Sequence, residues 1–189
     1  MKQDKIHDII IVGAGAAGFF ASINMPKKLT KLILEKNKMP GVKVLLSGWE
    51  RANISNIDIE PERDYFGQNK KALIWIYSKY NQWDIQSFFA ENDVEIVEED
   101  RWRLILKSGD SKELLEVLKR KSKENNTDLL LEKDVKKIKK IGDIFEITTE
   151  KKEKYLAENV VISSWGKSFF QVGTTGEGYN FAKEFWIKI

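Results

Sequence analysis

The amino-acid sequence predicts an α/β fold: a Rossmann-like βαβ unit in a parallel sheet, with a small antiparallel β section on one face of it. Three observations carry this. Residues 8–36, DIIIVGAGAAGFFASINMPKKLTKLILEK, run from an apolar stretch through Gly13, Gly15 and Gly18 into a short helical stretch and a second apolar run. Residues 127–131 and 157–164 read as buried-type strands that can join the same sheet. Residues 135–141 and 143–149 form two further strands that turn at Gly142.

The first stretch is a strand, a G-x-G-x-x-G turn, a helix and a second parallel strand. Gly13 allows the sharp turn, Gly15 lets a pyrophosphate approach the backbone, and Gly18 lets the helix sit close to the strand. Phosphate charge is met by free N–H groups at the helix start, Ala16 and Ala17 among them, and by the helix dipole. Glu35 lies 17 residues after Gly18, at the tip of the second strand. A carboxylate there accepts hydrogen bonds from ribose hydroxyls. Lys36 stands next to it in the same candidate site. Together these residues predict a dinucleotide cofactor.

The rest of the chain follows in order. The first helix is expected over residues 16–25 and stops before Pro26, which lacks an N–H. Residues 37–56, NKMPGVKVLLSGWERANISN, carry turn signals at Pro40-Gly41 and Ser47-Gly48. Lys43, Ser47, Arg51, Asn53, Ser55 and Asn56 either wrap a ligand or form an ordinary polar connection, and spacing alone does not choose. Residues 57–70 read as irregular. Residues 71–79 read as a helix or a buried strand, and periodicity does not decide. Asp84 reads as the N-cap of a helix with Ile85, Phe88 and Phe89 on one face. The acid-rich stretch 91–100 reads as a solvated edge strand rather than a metal or acid–base site. Residues 101–106 read as its partner. Asp110 with Glu113 forms a capping box for a helix over 111–125 that buries Leu114, Leu115 and Leu118. The lysines at 133, 136, 137, 139 and 140 alternate with apolar residues and read as solvated strand faces rather than a nucleic-acid patch. The glycines of residues 165–168 and 173–179 follow a parallel strand at its carboxyl end, which faces the ligand crevice of such sheets. A final helix starts at Glu177.

The totals bound the function. Net charge is +3, from 32 basic and 29 acidic residues, too balanced to argue for nucleic acid. There is no cysteine, which excludes disulfides, thiol nucleophiles and Cys-type zinc sites. His7 is the single histidine, so no His-pair metal site exists. It reads as a solvated residue before the first strand. No apolar run reaches the ~18 residues of a membrane span, and no secretory signal pattern opens the chain. A cytoplasmic location is the expectation. No residue stands out as an acid, base, nucleophile or metal ligand, so no catalytic and no metal residue is assigned.

Four stretches resemble one family: VGAGAAG with LEK, GVKVLLSGWERANISN, VVISSWGKS and GTTGEGY. The chain resembles the amino-terminal part of the YhiN/BaiN-like flavoproteins, FAD-dependent and often NAD(P)H-linked oxidoreductases, over essentially all its residues. The resemblance implies that Gly13, Gly15 and Gly18 hold the FAD pyrophosphate and that Glu35 binds ribose. The family's second motif, G-R-K-x-x-x-S-G-G-G-R-C-N-x-x-N, lies along the cofactor and is matched by Gly41, Lys43, Ser47, Gly48, Arg51, Asn53 and Asn56. Gly166 remains of a late cofactor turn, A-T-G-G. Trp49 and Glu50 stand where the family has glycines, Val42 where it has arginine and Ala52 where it has cysteine. Ser163, Ser164 and Trp165 stand for Ala-Thr-Gly, and Trp102 for a further glycine. An indole at position 49 or 165 is read as an obstruction in preference to a stacking surface. Family members are about twice as long. Residues 1–189 are accordingly expected to form one incomplete FAD/NAD(P)-binding domain, acting on an unknown small molecule with a second chain as a candidate source of the missing half. The alternative is a non-catalytic remnant or interaction subunit that keeps the fold without flavin.

Overall fold

The computed structural model describes residues 5–49, 51–67, 69–164, 166–167 and 176–187. The chain forms two compact units, residues 1–43 with 118–189, and residues 44–117.

In chain order the elements are β1 (Ile6–Val12), α1 (Ala16–Asn24), β2 (Lys31–Leu34), α2 (Val42–Leu46), β3 (Asn53–Asn56), α3 (Pro61–Asp64), α4 (Lys70–Lys79), α5 (Gln82–Ala90), β4 (Ile96–Glu99), β5 (Arg103–Leu106), α6 (Ser111–Glu124), β6 (Thr127–Leu130), β7 (Val135–Ile141), β8 (Ile144–Thr149), β9 (Lys154–Ile162) and α7 (Glu177–Glu184).

The first unit holds a six-stranded sheet in the order β6-β2-β1-β9-β8-β7. Strands β6, β2, β1 and β9 are parallel neighbours, and β9-β8-β7 is an antiparallel meander. All four strands expected in the parallel sheet are in it. The antiparallel section, expected on one face of that sheet, instead joins it edge to edge through β9. That strand pairs with β8 over residues 154–157 and with β1 over 156–162. It therefore starts three residues before the expected 157, because its first half serves the meander. The core is built from Ile10, Val12, Leu32, Leu34, Ile138, Ile147 and Phe181. Each fully buried aliphatic side chain of this kind contributes about 2 kcal/mol.

Helix α1 ends at Asn24 because Met25 precedes Pro26 and adopts extended geometry, φ −86° and ψ 154°. Its last carbonyls would otherwise lack partners. The Asn125 Nδ2 donates to the carbonyls of Ser22, Ile23 and Met25 at 2.7, 3.0 and 2.8 Å.

In the second unit β3, β5 and β4 form an antiparallel sheet with β5 in the centre, so the acid-rich β4 is an edge strand as expected. Phe89, Val94, Leu104 and Leu106 are buried there. Several local expectations need correction. Residues 37–56 are not all loop, since they contain α2 and β3. The N-cap of α5 is Asn81, not Asp84. Asp84 is the third helical residue, and the two side chains make a reciprocal capping box. At α6, Asp110 accepts from the Lys112 N–H at 2.9 Å, while Glu113 bonds Ser108 instead of closing the box. Residues 71–79 are helical, and no residue of α4 is buried, which is why no apolar period marks it.

His7 is not solvated. It lies inside β1, opposite Ala157, buried and with no partner for Nδ1 among the described residues. Burial, then the charge of Lys5, pushes its pKa below 6.5. The unfolded chain therefore binds a proton that the folded chain refuses. Stability from this group is complete above pH 6.5 and falls as pH drops through that value. A His7→Gln variant is expected to show a flatter urea midpoint between about pH 7 and about pH 5 than the wild type. Equal slopes in the two proteins would remove His7 as the cause.

Candidate cofactor-binding site

The carboxyl ends of the parallel strands converge on a cleft in the first unit. Its walls come from the glycine loop after β1, the tip of β2, the segment entering β7, Ser164 two residues after β9 and the start of α7.

The glycine loop is shaped by two close approaches. Gly13 has φ +107°, and a Cβ there would stand 3.0 Å from the Ser164 nitrogen. A Cβ on Gly18 would meet the Gly13 carbonyl oxygen at 2.1 Å and Ser163 Oγ at 2.8 Å. Ser163 Oγ itself donates to the Val12 and Gly13 carbonyls, at 3.0 and 2.9 Å. These contacts hold helix, turn and β9 together. Gly15 is different. Its φ −89° and ψ −175° are open to any residue, and no side chain caps α1 behind it. Among the described residues the first N–H groups of the helix thus have no acceptor, as an anion site requires.

Glu35 is buried, and its carboxylate ties three segments. One oxygen accepts from the Ala14 N–H at 2.8 Å. The other accepts from the Asn37 backbone and side chain at 2.9 and 2.8 Å. A carboxylate has about four acceptor directions, so one direction remains on the oxygen facing Ala14. The Gly41 N–H donates to the Ala14 carbonyl at 2.8 Å, and the Lys133 N–H donates to the Glu35 carbonyl at 2.8 Å. These bonds draw segments 37–43 and 132–135 onto the glycine loop. Ser164 Oγ, on the cleft wall, is buried with no partner among the described residues.

Charge at the cleft is mixed. Lys36 pairs with Glu177 at 3.6 Å, and Lys136 reaches Asp134 and Glu177 at 2.7 and 3.4 Å. The hydrogen bond that Lys136 donates to Asp134 holds its ammonium above the ordinary pKa, as the one to Glu153 does for Lys133. Partial burial pushes Lys43 down.

Of the residues assigned from sequence, Gly13, Gly15, Glu35, Lys36 and Lys43 line the cleft. Ala16 and Ala17 sit exposed on the first turn of α1, and Gly18 is buried behind it. Gly166 packs against the Tyr179 ring, where a Cβ would lie 2.4 Å from the phenol oxygen. Ser47, Gly48 and Asn53 belong to the second unit, where they form one tight loop: a Cβ on Gly48 would stand 2.9 Å from the Asn53 nitrogen. Arg51 in the same loop grips the Glu99 carboxylate with both guanidinium nitrogens. Trp165 and Glu50 lie outside the described residues, as does the assigned glycine turn over 173–175. Sequence reasoning missed Asn37, Lys133, Asp134, Val135 and Ser164. Asn37 had a local signal, an amide two residues beyond the strand-tip acid. The others are brought in by strand pairing alone.

Among the described residues no helix is long and apolar enough to cross a membrane, and no group of three His, Cys, Asp or Glu is placed to hold a metal.

A glycine loop, a strand-tip carboxylate and an uncapped helix at the carboxyl ends of parallel strands define a dinucleotide-fold protein of the Rossmann class. The HI0933-like protein Rossmann domain matches residues 7–189, and the chain belongs to this family. It is the flavoprotein family that the four sequence motifs indicated. The chain is 26% identical over 184 residues to a ribosomal RNA dihydrouridine synthase of Haemophilus influenzae, covering 95% of this chain and 45% of that protein. It is 27% identical over 183 residues to the Escherichia coli protein of the same name, covering 96% and 45%. The chain thus spans about half the length of the curated relatives it matches. Among solved structures, a 3-ketosteroid-Δ4-(5α)-dehydrogenase from Rhodococcus jostii superposes with a TM-score of 0.63 at 12% identity, covering 88% of this chain and 47% of that one. THI4 of Thermovibrio ammonificans gives 0.59 at 16%, covering 99% and 66%. At such identities the likeness is one of fold.

Proposed function

We propose that this chain binds the ADP half of FAD and is the cofactor-binding part of a flavin-dependent oxidoreductase. The observation that carries the reading is the cleft itself. Gly13 leaves no room for a side chain, the start of α1 is uncapped, and Glu35 keeps one acceptor direction after making three internal bonds. The amides of Gly15, Ala16 and Ala17 take the pyrophosphate, and Glu35 takes a ribose hydroxyl. Val135 and Phe181 give the cleft an apolar wall for adenine. Ser164 Oγ supplies a buried hydroxyl that has no other partner among the described residues. A bound flavin supplies hydride transfer, with NAD(P)H the class of donor. The chain's own residues bind, orient and exclude water.

The relatives' name suggests the substrate class: a uridine base in RNA, whose reduction saturates the ring. This proposal differs from the expectation drawn from sequence, an unknown small molecule from the family resemblance and no nucleic acid from charge balance and the lysines near β7. The remainder of the catalytic site comes from polypeptide beyond these residues, in the same chain or a second one.

The test has two arms. Purified protein given FAD and passed through a desalting column is expected to keep flavin absorption near one equivalent, and a colourless protein sinks the cofactor assignment. Deleting the gene is expected to remove dihydrouridine from ribosomal RNA. Unchanged dihydrouridine sinks the substrate and leaves the cofactor standing.

A further inference from the structure

Tryptophan is used in this chain where the backbone demands glycine. Five of the six tryptophans are described, and three of these, Trp49, Trp102 and Trp186, have φ of +57°, +62° and +59°. A left-handed conformation is found in a few per cent of non-glycine residues and is an outlier for bulky ones, so three in five has a chance on the order of 10⁻⁴. The chain's other large aromatics give a control. It has ten phenylalanines and five tyrosines, and none of those described has a positive φ.

Each of the three sits at a different glycine-type position. Trp186 follows α7. Its N–H donates to the Lys183 carbonyl at 3.0 Å, and the next N–H, of Ile187, donates to the Ala182 carbonyl at 3.0 Å. That pair of bonds is a Schellman motif, and Trp186 is its left-handed residue, most often glycine. Trp102 closes the hairpin between β4 and β5, next to the paired residues Glu99 and Arg103, and both it and Arg101 before it take left-handed backbone at φ +62°. Trp49 follows Gly48, itself at φ +59°, in the tight loop before β3. Positions 49 and 102 are also two of those where the resembling family has glycine.

The indoles do not account for these positions. Trp49 and Trp186 are 94% and 96% exposed, and Trp102 is 54% exposed. Burial is the usual gain from so large a side chain. Here the fold uses the backbone and leaves the side chain in solvent.

We propose that residues 49, 102 and 186 are glycine in the protein as its cell makes it, each encoded by UGA. That codon is read as stop, tryptophan or glycine depending on the genetic code. Tryptophan is therefore the one bulky residue that a glycine-reading UGA becomes when it is read under another code. Trp165, where the family has glycine, falls under the same explanation. The inference stands independently of the flavin assignment, and it removes the indoles that argued against an intact cofactor loop.

Two measurements decide it. The codons are read in the gene, and peptides spanning the three positions are weighed by mass spectrometry in protein isolated from the source organism. UGA at all three with glycine masses is the expected result. UGG at any of the three, or a tryptophan mass, overturns the proposal. A recombinant Trp49→Gly/Trp102→Gly/Trp186→Gly chain is expected to melt at a higher temperature than the tryptophan form, and a lower midpoint counts against it. Flavin retention is scored separately, so its failure touches only the function.

Discussion

A Gly18→Ala chain is expected to lose about 3 kcal/mol of stability, with its thermal midpoint falling by roughly 6 to 12 °C. The added carbon would lie 2.1 Å from the Gly13 carbonyl oxygen and 2.8 Å from Ser163 Oγ. The first contact is with backbone, so no side-chain rotation relieves it. Helix α1 must move away from β1, and the glycine loop moves with it. Since a domain holds only about 5–15 kcal/mol in total, this is a large loss. Gly15→Ala separates the two jobs of the motif. With φ −89° the Gly15 backbone already suits alanine, so the fold and midpoint are expected to persist while flavin uptake falls. The measurements are a calorimetric scan and flavin absorption after desalting. A Gly15→Ala chain that keeps its flavin would show that no phosphate passes over this residue. A Gly18→Ala chain with an unchanged midpoint would show that α1 packs further from β1.

Glu35→Gln is expected to weaken ADP and FAD binding by about 10- to 100-fold, equivalent to one charge-assisted hydrogen bond. The carboxylate now accepts three N–H bonds, from Ala14 and twice from Asn37. A glutamine has one acceptor oxygen in place of two, so at least one buried N–H loses its acceptor or the amide turns away from the ribose. Stability is expected to fall as well, by about 1–3 kcal/mol. Fluorescence titration of FAD measures the first effect and urea unfolding the second. A structural pin alone would lower stability and leave affinity for the folded protein unchanged. The wild type is also expected to bind ADP-ribose much more tightly than its 2′-phosphate, because a buried carboxylate repels a second anion at that hydroxyl. Equal affinity for the two would remove Glu35 from the ribose.

Both predictions rest on residues that could be named from local pattern. The glycines were legible because a tight turn and a close helix approach restrict residue type at each position. Glu35 was legible because its place after an apolar run fixes it at a strand tip. The edge strand β4 and the turn at Gly142 were legible for the same kind of reason. His7 was not. Its burial depends on β9, which lies 150 residues further along opposite it. The cap of α5 was misplaced by three residues because Asn81 and Asp84 carry the same chemistry, and only backbone geometry shows which one precedes the helix.

By itself, then, the sequence determined the βαβ unit, its three glycines, the strand-tip acid and the class of ligand they suit. Those features are set by φ, by residue size and by spacing within about thirty residues. The tertiary structure alone decided what closes the cleft. Register places Val12 beside Ile162 and Leu34 beside Leu130, which brings Ser164 and the segment from Lys133 to Val135 onto the glycine loop. It also decided that Asn125 completes α1 and that three tryptophans occupy glycine backbone. Contacts between segments a hundred residues apart leave no periodic trace in either segment, because each residue there obeys only its own local preference until the strands pair.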